Sequence, residues 1–202
     1  MKLNIIEFYL MNNPIRATLQ EYVEVRFLRK FINKSDVGNV LEIGCGNGHG
    51  TKLINRYFSP KNIQAVDLDE KMIAIAQKRN KNSKITFTVM DATNLKFPDH
   101  HFDTVFDFGI IHHIPNWKDC ITELKRVLKP NGIIILEELS IETFSTFLGK
   151  IIRKLTVHPY NEMYSTDKFS NALKEAGFTI QIMRKMYPLR LIKYFVLIAE
   201  KK

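Results

Sequence analysis

Three groups of residues in this chain have types and spacings that can do chemistry. The first is the run Val40-Leu41-Glu42-Ile43-Gly44-Cys45-Gly46-Asn47-Gly48, where glycines alternate with other residues directly after a β-like stretch. Glycine takes positive φ without strain and lets a ligand approach where a Cβ would otherwise stand. The second is Asp67, which ends the next β-like stretch, where a carboxylate can accept from both hydroxyls of a ribose. The third is His112-His113, two adjacent bases able to take a proton near neutral pH.

The glycine spacing discriminates among nucleotides. The dinucleotide pattern GxGxxG closes on a glycine that packs helix against strand, and the helix N-terminus then receives a pyrophosphate. Counted from Gly44 the third place is His49, and counted from Gly46 it is Thr51. No GxxxxGK[ST] phosphate loop occurs. Glu42 puts a carboxylate at the mouth of the turn, where it repels a phosphate chain and suits a cation. Glu42, Gly44, Gly46, Gly48 and Asp67 therefore describe a nucleoside with a positively charged appendage. S-adenosylmethionine, with its sulfonium and ammonium groups, fits that description.

These residues need elements to position them. Apolar runs at 39–43, 63–67, 84–89, 103–109 and 133–136 read as strands, and helical patterns separate most of them. One helix covers about 48–58, and Met72, Ile73, Ile75 and Ala76 mark the next. Trp117, Cys120, Ile121, Leu124 and Val127 follow helical spacing behind an Asn116 N-cap, and Lys129-Pro130-Asn131-Gly132 reads as stop and turn. Asn13-Pro14 opens an amphipathic helix over 14–33. Alternating strands and helices predict a parallel sheet covered on both faces. The last two runs, 178–183 and 193–200, are joined too closely for a crossover helix, so the final strand runs antiparallel. The expected fold is α/β: a Rossmann-like, seven-stranded, mostly parallel sheet with its ligand at the carboxyl ends of the strands.

Composition sets outer bounds. A chain of 202 residues suits one domain, and 45% hydrophobic with 25% charged residues is ordinary for a soluble protein. Two cysteines outside any CxxC pair give no disulfide framework and suit a reducing cytoplasm. The N-terminal run is interrupted by Asn4 and Glu7 and makes a poor signal peptide, and no stretch approaches a membrane span. The net charge of +9 allows a nucleic-acid or anionic-membrane partner, yet the lysines are scattered and read as solvated surface.

Five segments, in order and at matching intervals, resemble the class I S-adenosylmethionine-dependent methyltransferases, in particular the type 11 domain of ubiquinone/menaquinone-type enzymes. They are VLEIGCGNG (40–48), AVDLDEKMI (65–73), MDATNLKFPDHHFDTVF (90–106), IHHIPNW (111–117) and ELKRVLKPNGIIILEE (123–138). The resemblance implies that Asp67 holds the ribose hydroxyls and that Leu68 and Met72 pack on the adenine. It implies that Asp91 accepts from the adenine amino group, with Ala92 offering its backbone N–H. Gly44 and Gly46 would touch the methionine moiety, and Phe108 or Gly109 would offer a carbonyl to its ammonium.

Methyl transfer from a sulfonium needs an aligned nucleophile and, for some acceptors, a base. His112 or His113 is the candidate, one of them facing the substrate, since consecutive loop residues point apart. His100, His101, His112 and His113 lack chelating spacing, so no metal is expected. Residues 140–164 lie where this family often inserts a lid. Phe144, Phe147, Leu148, Ile151, Ile152 and Leu155 form an apolar helical face there, and His158, Tyr160 and Tyr164 are close enough in sequence to reach the site. The expected layout is a single domain over 1–202: a helical cap (1–35), a cofactor core (36–138), the lid (139–165), and a terminal helix and hairpin (166–202).

The absence of [DN]PP[YF], where Asp107-Phe108-Gly109-Ile110 stands, disfavours amino methylation of adenine or glutamine. The leading expectation is methyl transfer to O, N or C of a small, lipophilic molecule, yielding S-adenosylhomocysteine. An RNA or protein methyltransferase and a non-catalytic cofactor-binding protein are the alternatives.

Overall fold

In the computed structural model, residues 37–187 and 193–202 are described, together with 21, 25 and 28–32. Most of the helix expected over 14–33, and of the 1–35 cap, lies outside them. The chain forms β1 (Asn39–Ile43), α1 (His49–Phe58), β2 (Asn62–Asp67), α2 (Glu70–Arg79), β3 (Ile85–Val89) and β4 (Phe102–Phe108). It continues through α3 (Trp117–Val127), β5 (Leu128–Glu138), α4 (Phe147–Leu155), α5 (Thr166–Glu175), β6 (Phe178–Met186) and β7 (Tyr194–Lys201). Short 3-10 turns at Ile111–His113 and Thr143–Ser145 precede α3 and α4.

The seven strands order as β3-β2-β1-β4-β5-β7-β6. β1 pairs in parallel with β2 and β4, and β7 is antiparallel to both β5 and β6. The expected topology is the observed one, with β7 the reversed strand. The switch point falls between β2 and β4, on either side of β1, so the glycine turn after β1 opens where a ligand crevice belongs.

Strand alternation divides the apolar residues between two cores. Leu41, Ile43, Val105, Ile134 and Leu136 point to the face packed by α3 and α5. Val40, Phe106 and Ile135 point to the face packed by α1 and α2. Side-chain caps start α2 and α5: Asp69 and Ser165 accept from Lys71 N (2.9 Å) and Lys168 N (3.1 Å).

The Lys129–Gly132 turn lies inside β5 instead of ahead of it. Phe102 pairs with Leu128 and Thr104 with Ile133, so the four residues loop out while the strand continues, with Asn131 at φ 62°. The loop is a register shift that hydrophobic patterning alone reads as a strand start.

α4 is anchored at its root. Thr146 Oγ1 accepts from Gly149 N (3.0 Å), and Thr143 Oγ1 donates to the Lys193 carbonyl (2.6 Å). A Cβ at Gly149 would sit 2.0 Å from the Thr143 carbonyl, so helix and turn are in direct backbone contact.

Candidate active site

The glycine turn is held by backbone bonds and one carboxylate. Cys45 N donates to the Val66 carbonyl (2.9 Å) and Gly46 N to Asp67 Oδ2 (2.8 Å), which ties the ends of β1 and β2 together. Gly44, Gly46 and Gly48 have φ of 62°, 52° and 80°. Their surroundings differ. A Cβ on Gly44 would collide with Ile110, and one on Gly48 with Asn80 and Ala76, whereas one on Gly46 would enter open space. Gly46 is thus where a ligand gains from the missing side chain, and Gly44 and Gly48 are glycines for packing.

A crevice opens along this edge, and Gly44, Asp67, Leu68, Asp91 and Ala92 line one side of it. Ile110, Ile114 and Pro115, which flank the histidine turn, line the other. Asp67 Oδ1 accepts from Asp69 N (2.8 Å), and burial raises the pKa of this carboxyl. Each Asp67 oxygen retains acceptor capacity beyond its backbone bond. Asp91 is exposed and accepts from both the backbone and the hydroxyl of Thr93 at 2.8 Å, an Asx turn that leaves its other oxygen for a ligand. Met72 is buried in the core, and Phe108 and Gly109 follow the same strand end without bordering the crevice.

Glu42 departs from the expectation. It lies beneath the turn, 2% exposed, accepting from the Thr51 hydroxyl. Burial pushes its carboxyl up to about 8, against the pull of the Thr51 bond. The strand pleat turns Glu42 inward, so the carboxylate at the mouth is Asp67.

The second cluster lies past β4. Glu138, at the end of β5 and 1% exposed, accepts from Ile111 N at 2.5 Å and from Leu139 N at 3.0 Å. His112 Nδ1 stands 2.7 Å from Glu138 Oε2. Asp107 is fully buried against Glu138, and its carboxyl is raised well above the usual range by burial first and by Glu138 second. Two carboxyls so placed disfavour each other's ionisation, and burial pushes the Glu138 carboxyl up to about 7 against the pull of its hydrogen-bond donors. Tyr164, also fully buried, stands beside the pair, and burial drives its hydroxyl pKa up.

His112 and His113 do not point apart. The 3-10 turn places their ring centroids 4.2 Å apart, and His158, beyond α4, stacks on both at 5.4 and 4.2 Å. Phe144 and Tyr160 enclose His158 at 5.2 and 5.3 Å. One potential ligand atom from each of the three histidines lies within 4.8 Å of the others. Nitrogens on a tetrahedral ion with 2.0–2.1 Å bonds sit roughly 3.3 Å apart. The interplanar angles of 12°, 26° and 37° stack the rings in layers, so their in-plane lone pairs do not aim at one point. The cluster reads as a layered stack of rings.

His100 and His101 are elsewhere, at the start of β4. His100 Nδ1 lies 3.1 Å from the Leu128 carbonyl, and His101 stacks on Phe97. Cys45 and Cys120 are buried, and burial raises both thiols, which leaves neither suited to nucleophilic attack.

Sequence reasoning passed over Glu138 and Asp107 as site residues. The signal for Glu138 was an acid closing an otherwise apolar strand, the position at which ligand-facing residues of such sheets occur.

Comparisons agree with this geometry. Residues 41–136 match a family model described as a methyltransferase domain. The chain is 35% identical over 96 residues to the fatty-acid O-methyltransferase of Mycolicibacterium smegmatis, covering 48% of this chain and 35% of that protein. It is 30% identical over 125 residues to the phthiotriol/phenolphthiotriol dimycocerosates methyltransferase of Mycobacterium tuberculosis, covering 60% and 46%. The chain thus spans less than half the length of these relatives. The crystal structure of an S-adenosylmethionine-dependent methyltransferase from Mesorhizobium loti superimposes with a TM-score of 0.73 at 17% identity, over 87% of this chain and 96% of that one. Residues 41–136 thus match the methyltransferase domain family, and the chain has the fold of the class I S-adenosylmethionine-dependent methyltransferases.

Proposed function

We propose that the crevice binds S-adenosylmethionine and that the chain transfers its methyl group to a small lipophilic acceptor, most simply through oxygen. The observation that carries this reading is the pairing of two constellations across one crevice. Gly44 and Asp67 lie on one wall, with Gly46 bonded to Asp67 and open to space beside it, and the turn bearing the Glu138-bound His112 is on the other.

The residues present fit the cofactor. Asp67 accepts from the ribose hydroxyls, Leu68 and Ala92 pack on the base, and Asp91 accepts from its amino group. Gly46, whose missing Cβ leaves space, and Gly44 border the methionine portion. Glu42 lies beneath them as a buried acid that ionises more readily once a cation binds above it. When bound, the cofactor supplies a methyl group on a sulfonium, already an excellent leaving group.

The protein supplies alignment and proton removal. Ile110, Ile114 and Pro115 exclude water from the side facing the cofactor. His112 takes the acceptor's proton, and Glu138 holds the ring through Nδ1 and stabilises the charge it gains, a contribution of about 10²–10⁴ in rate. His158, Phe144 and Tyr160 cover the histidine rings, so acceptor entry displaces His158 from its stack. The proposed acceptor class follows the two lipid-modifying relatives, with which the apolar lid segment agrees.

The test is incubation with radiolabelled S-adenosylmethionine and fractionated cell extract. Label is expected in the lipid-soluble fraction. Label confined to RNA or protein overturns the acceptor class, and tight cofactor binding with no label anywhere makes the chain a binding protein.

A further inference from the structure

The outer face of α4 is neither core nor crevice wall. Phe147 is 85% exposed, Ile151 43% and Leu155 50%, and Val157 just beyond the helix is 62% exposed. At 100° per residue, Phe147, Ile151 and Leu155 form one stripe along the helix. Leu148 and Ile152, more covered, take the inward side over buried Phe144. The apolar residues that patterning assigns to one lid face thus divide into an inner and an outer set.

Charge is distributed with the same bias. Lys150 and Lys154 are exposed along one flank of the stripe, Arg153 turns away to place its guanidinium 4.7 Å from the Tyr160 ring centroid, and between Glu142 and Glu162 the chain has no acidic residue. The β6–β7 connection ends on the same rim, where Thr143 bonds the Lys193 carbonyl (2.6 Å). There Tyr187 is 42% exposed, with Lys193 Nζ 5.5 Å from its ring centroid. An apolar stripe, flanking cations and a tyrosine at the edge are the components of an interfacial helix.

We propose that this face docks on an anionic lipid surface, with Phe147, Ile151, Leu155 and Val157 entering the acyl boundary and Lys150 and Lys154 meeting lipid phosphates. Charge complementarity selects this occupant. A second copy stacked on the same face would bring like charges together, and a neutral apolar partner would leave the two cations unmatched.

The test is sedimentation of the full chain with vesicles of phosphatidylglycerol and phosphatidylcholine, compared with phosphatidylcholine alone. Binding is expected to the mixed vesicles and to weaken as salt screens the charges. The double variant K150E/K154E is expected to bind about thirtyfold more weakly. F147S is expected to lose about tenfold, with an unchanged thermal midpoint showing that it folds. Failure to bind mixed vesicles overturns the proposal, as does equal binding to both compositions. Self-association abolished by F147S would assign the face to a second copy. None of these readings needs turnover, so they stand or fall separately from methyl transfer.

Discussion

The two walls of the crevice are built in opposite ways. The wall proposed to hold the cofactor is made of turns at successive strand ends, where Asp67 and Asp91 bond backbone two residues away and Gly46 N reaches only to the neighbouring strand. The wall proposed to react rests on side chains far apart in sequence. His112 bonds Glu138, 26 residues on, and stacks on His158, 46 residues on. The first wall is built through backbone and is partly exposed, whereas the second rests on the buried side chains of Asp107, His112 and Glu138. On the proposed reading, holding and reacting are separated along the line between β1 and β4.

This contrast is broken most strongly on the reactive side. His112→Ala is expected to lower kcat by about a hundredfold or more while leaving cofactor affinity unchanged. Glu138→Gln, which keeps an acceptor for Nδ1 but removes the charge, is expected to lower kcat by a smaller factor, again with unchanged cofactor affinity. Radiolabel transfer to the identified acceptor and calorimetry with cofactor alone measure the two quantities. A parallel loss of cofactor affinity would mean that the walls are one unit.

On the cofactor side the expected pattern is reversed. Asp67→Ala removes a charged acceptor worth roughly 1.5–3 kcal/mol and is expected to weaken S-adenosylmethionine at least about tenfold. Unaltered affinity by calorimetry would remove Asp67 from the site.

Glu42 gives a test without turnover. Its folded pKa of about 8 lies above the ordinary carboxyl value of 4.5, so the folded chain holds a proton that the unfolded chain has released between those values. Its contribution to stability is complete below about 4.5 and is lost as pH rises through 8. The thermal midpoint of the cofactor-free protein is expected to fall over that window, and Glu42→Gln is expected to flatten the fall by about 3 °C or more. Identical slopes in the two proteins would show that Glu42 does not carry the buried proton.

The smallest effect is expected at Gly46. A side chain there meets open space but must hold φ 52°, a strain of about 1–2 kcal/mol. Gly46→Ala is therefore expected to cost that much stability and to lose cofactor affinity as well. Gly48→Ala, which clashes with Ala76 and Asn80, is expected to lose more stability.

The same contrast explains what the sequence disclosed. The mostly parallel sheet, the reversed β7 and the Gly44–Asp67–Asp91 wall were legible because glycine spacing, strand-end acids and hydrophobic period are local signals. The direction of Glu42 followed from the pleat and was misread because its position, one residue from the end of β1, was taken as exposure. The grouping of His112, His113 and His158 was not legible: it depends on a 3-10 turn and on how α4 folds back, which no local pattern encodes. The β5 loop at 129–132 was seen as a turn but not as an interruption within one strand.

The Thr143–Lys193 bond and the contact at Gly149 limit how the site can be entered. With backbone against backbone at its beginning, α4 has no hinge there, so any freedom to admit the proposed acceptor belongs to its distal end, where Leu155 leads into His158. Opening is then a peeling from the far tip, and the same small excursion that clears a path also withdraws an imidazole from above the base.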